Sequence, residues 1–153
     1  GVLHHTGNMW KGLDNAWQVV APGGKLFIAL YNNTGTQAQR WLWIKKTYNK
    51  LPGFLRPPFA ILVSAPEEGK GILRGILKGK PGERIRHWKG YLNRRGMNYW
   101  HDLVDWVGGY PYEVSTPDEI FEFYKARGFT LSKLRCGGVG LGCNEFVFTR
   151  NKD

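Results

Sequence analysis

Lys25 to Tyr31, KLFIALY, sets six apolar residues in succession directly after the turn Pro22-Gly23-Gly24. The run is too short for a helix and too continuous for a strand wetted on one face. It predicts a buried strand of a parallel sheet. Upstream, Met9, Trp10, Leu13, Trp17 and Val20 fall at helical spacing with one apolar face, and Asn8 is placed to cap the helix. Gly1-Val2-Leu3 reads as the end of an earlier strand. Strand, helix, turn and strand form a βαβ unit, which makes the fold class α/β.

The C-terminus carries its own punctuation. Thr116, Pro117 and Glu119 spell a capping box with proline at the first helical position, and Ile120, Phe121 and Tyr124 give the buried stripe. Gly128 stops that helix, Phe129 to Cys136 reads as a strand, and Asn144 to Arg150 alternates as a last one. A short glycine loop between the two predicts an antiparallel hairpin.

Between these frames, residues 33–115 show much helix and no clear strand, the mark of a helical insertion in a single domain spanning 1–153. Thr36 to Lys50 carries Trp41, Ile44 and Tyr48 on one face, and Pro57-Pro58 and Pro66 punctuate the next stretch. The net charge is +10, and Lys70 to Arg95 holds nine Lys or Arg against the single acid Glu83. That basic stretch fits a solvated lid, a membrane-surface helix or an RNA-binding face. An RNA face needs exposed aromatics for stacking, and His87, Trp88 and Tyr91 are the nearby ones. Gly71, Gly75 and Gly79 recur every fourth residue among Ile72, Leu73, Ile76 and Leu77, a small-residue ridge beside an apolar one. With 42% hydrophobic residues the chain can bury a core, yet it has neither a long uncharged apolar span nor a signal-peptide pattern. Cys136 and Cys143 are too few for a disulfide framework. These features point to a cytoplasmic protein with reduced thiols.

Three constellations are candidates for chemistry. Gly138-Val139-Gly140-Leu141-Gly142 spells GxGxG, but a strand follows where a nucleotide loop needs a helix N-terminus, so it reads as a hairpin turn. Leu3-His4-His5 lies at the carboxyl end of the expected first strand, the edge where open α/β sheets bind ligands. Trp100-His101-Asp102 and Asp105 fall in the densest patch of aromatic and ionisable groups, where flanking carboxylates suit an imidazole base. His4, His5, His87 and His101 show no metal-ligand spacing, so no metal is expected.

GVLHHTGNMWKGLDNAWQVVAPGGKLFIALYN resembles the end of the fourth strand, the following helix and the fifth strand of class I S-adenosylmethionine-dependent methyltransferases. RGMNYWHDLVDWVGGYPYE and GLGCNEFVFTR resemble a bacterial subgroup likened to ubiquinone-biosynthesis methyltransferases. The resemblance implies a partial Rossmann-like sheet made of the fifth to seventh strands plus a stub of the fourth. In that family the last strand is antiparallel and sits between the fifth and sixth. The segment 33–115 becomes a substrate-side insertion. The family's glycine-rich cofactor loop and the acid ending its second strand do not occur in these 153 residues. The missing N-terminal half of the domain is therefore an expected partner, and the chain alone is expected to be inactive.

The cofactor so implied is S-adenosyl-L-methionine, with Leu3, His4 and His5 near its methionine end and Tyr31 and Asn32 bordering the substrate. Trp100 and Asp105 join the substrate side. The expected reaction is methyl transfer to a small, lipophilic acceptor oxygen. His101 is the first candidate base and His5 the second, with Asp102 or Asp105 orienting the imidazole. Alternatives are an RNA methyltransferase using the basic insertion, or a non-catalytic module binding membrane or nucleic acid. Lys70 to Arg95 is the expected contact if the protein is peripheral to a membrane.

Overall fold

The computed structural model describes residues 1–138 and 142–152. Val139, Gly140 and Leu141 of the GxGxG motif lie outside the described residues. The chain divides into two compact units, Gly1–Leu42 with Pro111–Asp153, and Trp43–Tyr110. The class is mixed α/β: a three-stranded antiparallel sheet and seven α-helices among the described residues.

The first unit holds the sheet, with strands β1 (Lys25–Tyr31), β2 (Phe129–Arg135) and β3 (Cys143–Arg150) in the order β1-β3-β2. β3 runs antiparallel to both neighbours, so β1 and β2 are parallel to each other. Helices α1 (Met9–Gln18) and α7 (Pro117–Lys125) complete its core. The register sets Leu26 opposite Phe148 and Ile28 opposite Phe146, which puts these side chains on one sheet face. There Met9, Leu13, Ile120, Tyr124 and Phe129 join them in one buried cluster. Each such side chain contributes about 1.5–3 kcal/mol by leaving water. Tyr124 brings its hydroxyl along at no loss, because it donates to the Leu13 carbonyl at 3.2 Å.

Two expectations for this unit are corrected. β1 is not sandwiched in a parallel sheet: its described ladder is antiparallel, to β3, and Phe27 on its outer face is 63% exposed. Six apolar residues in a row thus encode one buried face, Ile28 and Leu30, and one apolar outer face. The expected strand end at Leu3 is instead the start of a 3-10 turn, Leu3–His5. Val2 has helical dihedrals, and His5 N–H and Thr6 N–H donate to the Val2 and Leu3 carbonyls, so the backbone is satisfied locally rather than by a ladder. Asn8 does precede α1, but its side chain makes no capping bond; the Glu113 carboxylate accepts from Met9 N–H at 3.0 and 3.1 Å. A carboxylate there also complements the helix dipole. The capping box at Thr116 forms as expected, and Gly128 takes the left-handed conformation, φ +74°, that ends the segment.

The second unit is helical. α2 (Thr36–Lys50) enters it, followed by α3 (Arg56–Leu77), α4 (Glu83–Lys89), α5 (Tyr91–Arg95) and α6 (Tyr99–Gly108). The prolines do not break α3: Pro57 and Pro58 occupy the first turn, whose N–H groups lack intrahelical partners anyway, and Pro66 is accommodated on an exposed position. Nor is Lys70 to Arg95 one helix, since turns around Gly79 and at Gly90 divide it among α3, α4 and α5. Glu68, on α3, ties that helix to α4 and α6. Its carboxylate accepts from Arg84 Nε at 2.7 Å, from Arg84 Nη2, from Trp88 Nε1 at 3.1 Å and from the Tyr99 hydroxyl. The end of α6 is closed from α2, where Lys45 Nζ donates to the Trp106 carbonyl at 2.5 Å and Asn49 Nδ2 to that of Gly108 at 2.8 Å. No helix among the described residues is long and apolar enough to cross a membrane.

Candidate functional site

The carboxyl end of β1 gathers the chemistry of the first unit. There the segment Pro111 to Ser115 runs beside the strand: Ser115 N–H donates to the Tyr31 carbonyl at 3.1 Å, Asn33 N–H to that of Ser115 at 3.0 Å, and Glu113 N–H to that of His4 at 2.9 Å. These bonds bring Tyr112 and the Leu3–His5 turn around Tyr31. The His4 ring packs on Tyr31 with centroids 3.9 Å apart, His5 stands edge-on to Tyr31 at 5.5 Å, and Tyr112 lies 5.4 Å from Tyr31.

Protonation follows from burial. Burial, and then the neighbouring Cys143, push the Tyr31 phenol above its usual range; burial, with Tyr31 behind it, pushes Tyr112 up to about 12. Burial also raises the Cys143 thiol. At neutral pH these three groups keep their protons and act as donors, not as bases or nucleophiles. Imidazole is the side chain suited to exchange a proton there. His5 Nδ1 lies 2.7 Å from the Pro111 carbonyl, which can only accept, so Nδ1 carries the hydrogen. In the neutral ring that leaves the lone pair on Nε2, the form a general base requires.

Asn32, the first residue past β1, is held from both sides. Its Nδ2 donates to the Gly138 carbonyl at 3.1 Å, and its Oδ1 accepts from Asn144 Nδ2 at 3.0 Å. Asn144 is 1% exposed, and its Oδ1 accepts from Gly137 N–H at 3.0 Å. A side-chain network therefore ties Gly137 and Gly138 to the end of β1. Gly137 is required there because a Cβ would come within 2.9–3.0 Å of backbone atoms of Gly142 and Cys143.

Of the residues expected at a site, His4, His5, Tyr31 and Asn32 thus come together in the first unit. Leu3 is half-buried and packs against the buried cluster and Gly12, and His4 is buried beneath Tyr31, so His5 is the half-exposed polar member of the turn. Trp100, His101, Asp102 and Asp105 all lie on α6 in the second unit. His101 and Asp105 are exposed, and Asp102 engages the Tyr91 hydroxyl and, at 3.5 Å, Arg95 Nη2 rather than His101. Successive helix positions diverge by about 100°, which separates the imidazole from its sequence neighbour. Tyr112 and Asn144 are the members that pattern reading passed over. Tyr112 was visible as part of the aromatic patch Tyr110-Pro111-Tyr112-Glu113, whereas a lone Asn in an alternating strand carries no local signal.

In the second unit an open cleft of about 380 Å³ is lined by Lys80, Glu83, Arg86, His87 and Arg94. Burial and the nearby Arg84 and Arg94 push the His87 imidazole down, so its ring adds no charge to the cleft at neutral pH. Among the described residues no group of three or more His, Cys, Asp and Glu could hold a metal ion. No protein-family model, no curated protein and no solved structure matches the chain.

Proposed function

We propose that the chain is part of an S-adenosylmethionine-dependent methyltransferase that acts on the oxygen of a small acceptor, with its reacting centre at the carboxyl end of β1. The observation that carries this reading is the strand order β1-β3-β2 with β3 antiparallel to both neighbours. It is the order the sequence resemblance implies for the last three strands of a Rossmann-like methyltransferase sheet. A cluster of His5, Tyr31 and Tyr112 stands where such a sheet reacts.

The aromatic lining suits the cofactor's reacting end, because the faces of Tyr31 and Tyr112 attract a cation. Bound there, S-adenosylmethionine supplies a methyl group on a sulfonium, an electrophile that needs no metal. The residues of this chain do the rest. Tyr31 and Tyr112, protonated at neutral pH, wall the site and offer hydroxyl donors. Asn32, fixed by Asn144, presents a polar edge of set orientation. His5 Nε2 would take the acceptor hydroxyl proton as the methyl carbon's bond to sulfur breaks, leaving a neutral thioether, and its bond to the acceptor oxygen forms, with Pro111 holding the ring. Positioning provides the larger share of the rate.

The test is methyl transfer from labelled S-adenosylmethionine to a panel of hydroxylated acceptors by the natural full-length protein. His5→Gln should lower turnover roughly 10²-fold or more with cofactor affinity nearly unchanged, while His101→Ala should retain most activity. A full-length protein that neither binds the cofactor nor transfers label would refute the proposal. A His5→Gln variant with normal turnover would remove His5 from it.

A further inference from the structure

The glycine and leucine ridges of α3 face opposite ways. Ala60, Ser64, Glu68, Gly71 and Gly75 follow one another along the side turned into the second unit. The approach is close there: a Cβ on Gly71 would lie 3.2 Å from the Arg84 side chain, and one on Gly75 would lie 3.0 Å from the Lys80 carbonyl oxygen. The other side carries Leu62, Leu73, Ile76 and Leu77, flanked by Ile61 and Ile72, all exposed, with Leu62 at 70% and Leu77 at 77%. Ala65, Pro66 and Gly69 fill the gaps between them. From residue 62 to residue 77 this outward stripe holds no charge and runs roughly 22 Å along the helix. It inverts the ordinary amphipathic helix, whose polar face meets water.

Charge identifies what the stripe meets. The second unit holds thirteen Lys and Arg against five Asp and Glu, while the first holds nine against seven. Lys70, which is paired with the exposed Glu67 at 2.8 Å, and Arg74 border the stripe on α3 itself, and Lys78 and Lys80 follow its end. Two copies facing each other would oppose like charges. Single-stranded RNA would need aromatic stacking platforms along the surface it follows, and the stripe from Ile61 to Leu77 carries no aromatic residue. An anionic lipid surface satisfies both features at once: the aliphatic side chains enter the acyl boundary, and the lysines and arginines reach up to the headgroups.

We infer that the outward face of α3, Ile61 to Leu77, docks the protein on an anionic membrane surface. The helix lies in the interface plane rather than across it. This inference is independent of the methyl-transfer reading, since it uses no residue of the first unit and is read by lipid binding alone.

The test is sedimentation of the purified natural full-length protein with phosphatidylcholine vesicles containing about 30% phosphatidylserine at about 0.1 M salt. The wild type should sediment with these and far less with phosphatidylcholine alone. Leu62→Asp/Leu73→Asp should lower partitioning roughly tenfold or more, and Lys70→Ala/Arg74→Ala should lower it less and mainly at low salt. Both pairs are solvent-facing, so circular dichroism should match the wild type. A wild type that stays in the supernatant would overturn the inference. So would unchanged partitioning of a folded Leu62→Asp/Leu73→Asp variant. A wild-type dimer that the aspartate pair splits into monomers, with no vesicle binding, would assign the face to a second copy instead.

Discussion

Asn144→Ala tests whether the end of β1 is held by side chains or merely by the strand ladder. Asn144 makes two bonds, one accepted from Gly137 N–H and one donated to Asn32 Oδ1, each 3.0 Å long. Each contributes about 1 kcal/mol net. The groups left behind, on Gly137 and Asn32, are half-buried, so water can partly replace the lost partner and the cost stays near the sum of the bonds, about 2 kcal/mol. For a chain of this size that lowers the thermal midpoint by roughly 4–8 °C. Asn144→Asp sharpens the test. The carboxylate still accepts from Gly137 but sets an acceptor against Asn32 Oδ1 at a position 1% exposed. Burial must raise that carboxyl's pKa, so the variant's stability is present below the unfolded carboxyl range and lost as pH rises through the raised value. Its melting deficit should therefore shrink on acidification, while that of Asn144→Ala should not. A thermal melt at several pH values reads both, and the cycle with Asn32→Ala should give a coupling of about 1 kcal/mol. An Asn144→Ala protein within about 0.5 kcal/mol of wild type, or an additive cycle, would refute the pinning of Asn32.

Other outcomes rest on single contacts. Glu68→Gln should lower the melting temperature of the second unit near neutral pH. Hydrogen bonding from Arg84 holds this carboxyl below its usual range, so its stabilisation is present above the unfolded carboxyl value and is lost as pH falls through the folded one. The gap between wild type and variant in a melt should close as pH falls below the ordinary glutamate range, since the carboxylate takes up its proton only there. Gly75→Ala should cost roughly 1–3 kcal/mol despite alanine's better helix propensity, because the added Cβ meets the Lys80 backbone at 3.0 Å; a denaturation midpoint equal to wild type would contradict this close approach. Thr116→Ala should cost about 1 kcal/mol in the same assay by removing the capping box of α7.

Local signals were legible where the physics is local. The capping box at Thr116, the glycine stop at Gly128, the helical face of Ile44 and Tyr48, and the hairpin of β2 and β3 all rest on residues within a turn or two of each other. The site was half legible. His4 and His5 stood out by residue type, although the strand end expected before them is a turn, and Tyr31 and Asn32 entered through the family resemblance. Tyr112 and Asn144 reach it only through pairings distant in sequence, such as Asn144 with Asn32. No periodicity announces those.

By itself, then, the sequence determined the element types, the α/β class, the concentration of positive charge between Lys70 and Arg95 and the presence of two ridges on α3. Hydrophobic spacing and caps act within one element, so they can be read from one element. Tertiary structure alone decided that Phe27 of KLFIALY stands exposed on the outer face of β1, that Leu3–His5 closes on itself as a turn, and that Asp102 serves Tyr91 instead of His101. It also decided which ridge of α3 is buried. Glycine allows helices to approach and leucine fills a core, so either ridge was a fit inward face. The close contacts of Gly71 and Gly75 with Arg84 and Lys80 took the inward side and left the leucines to water.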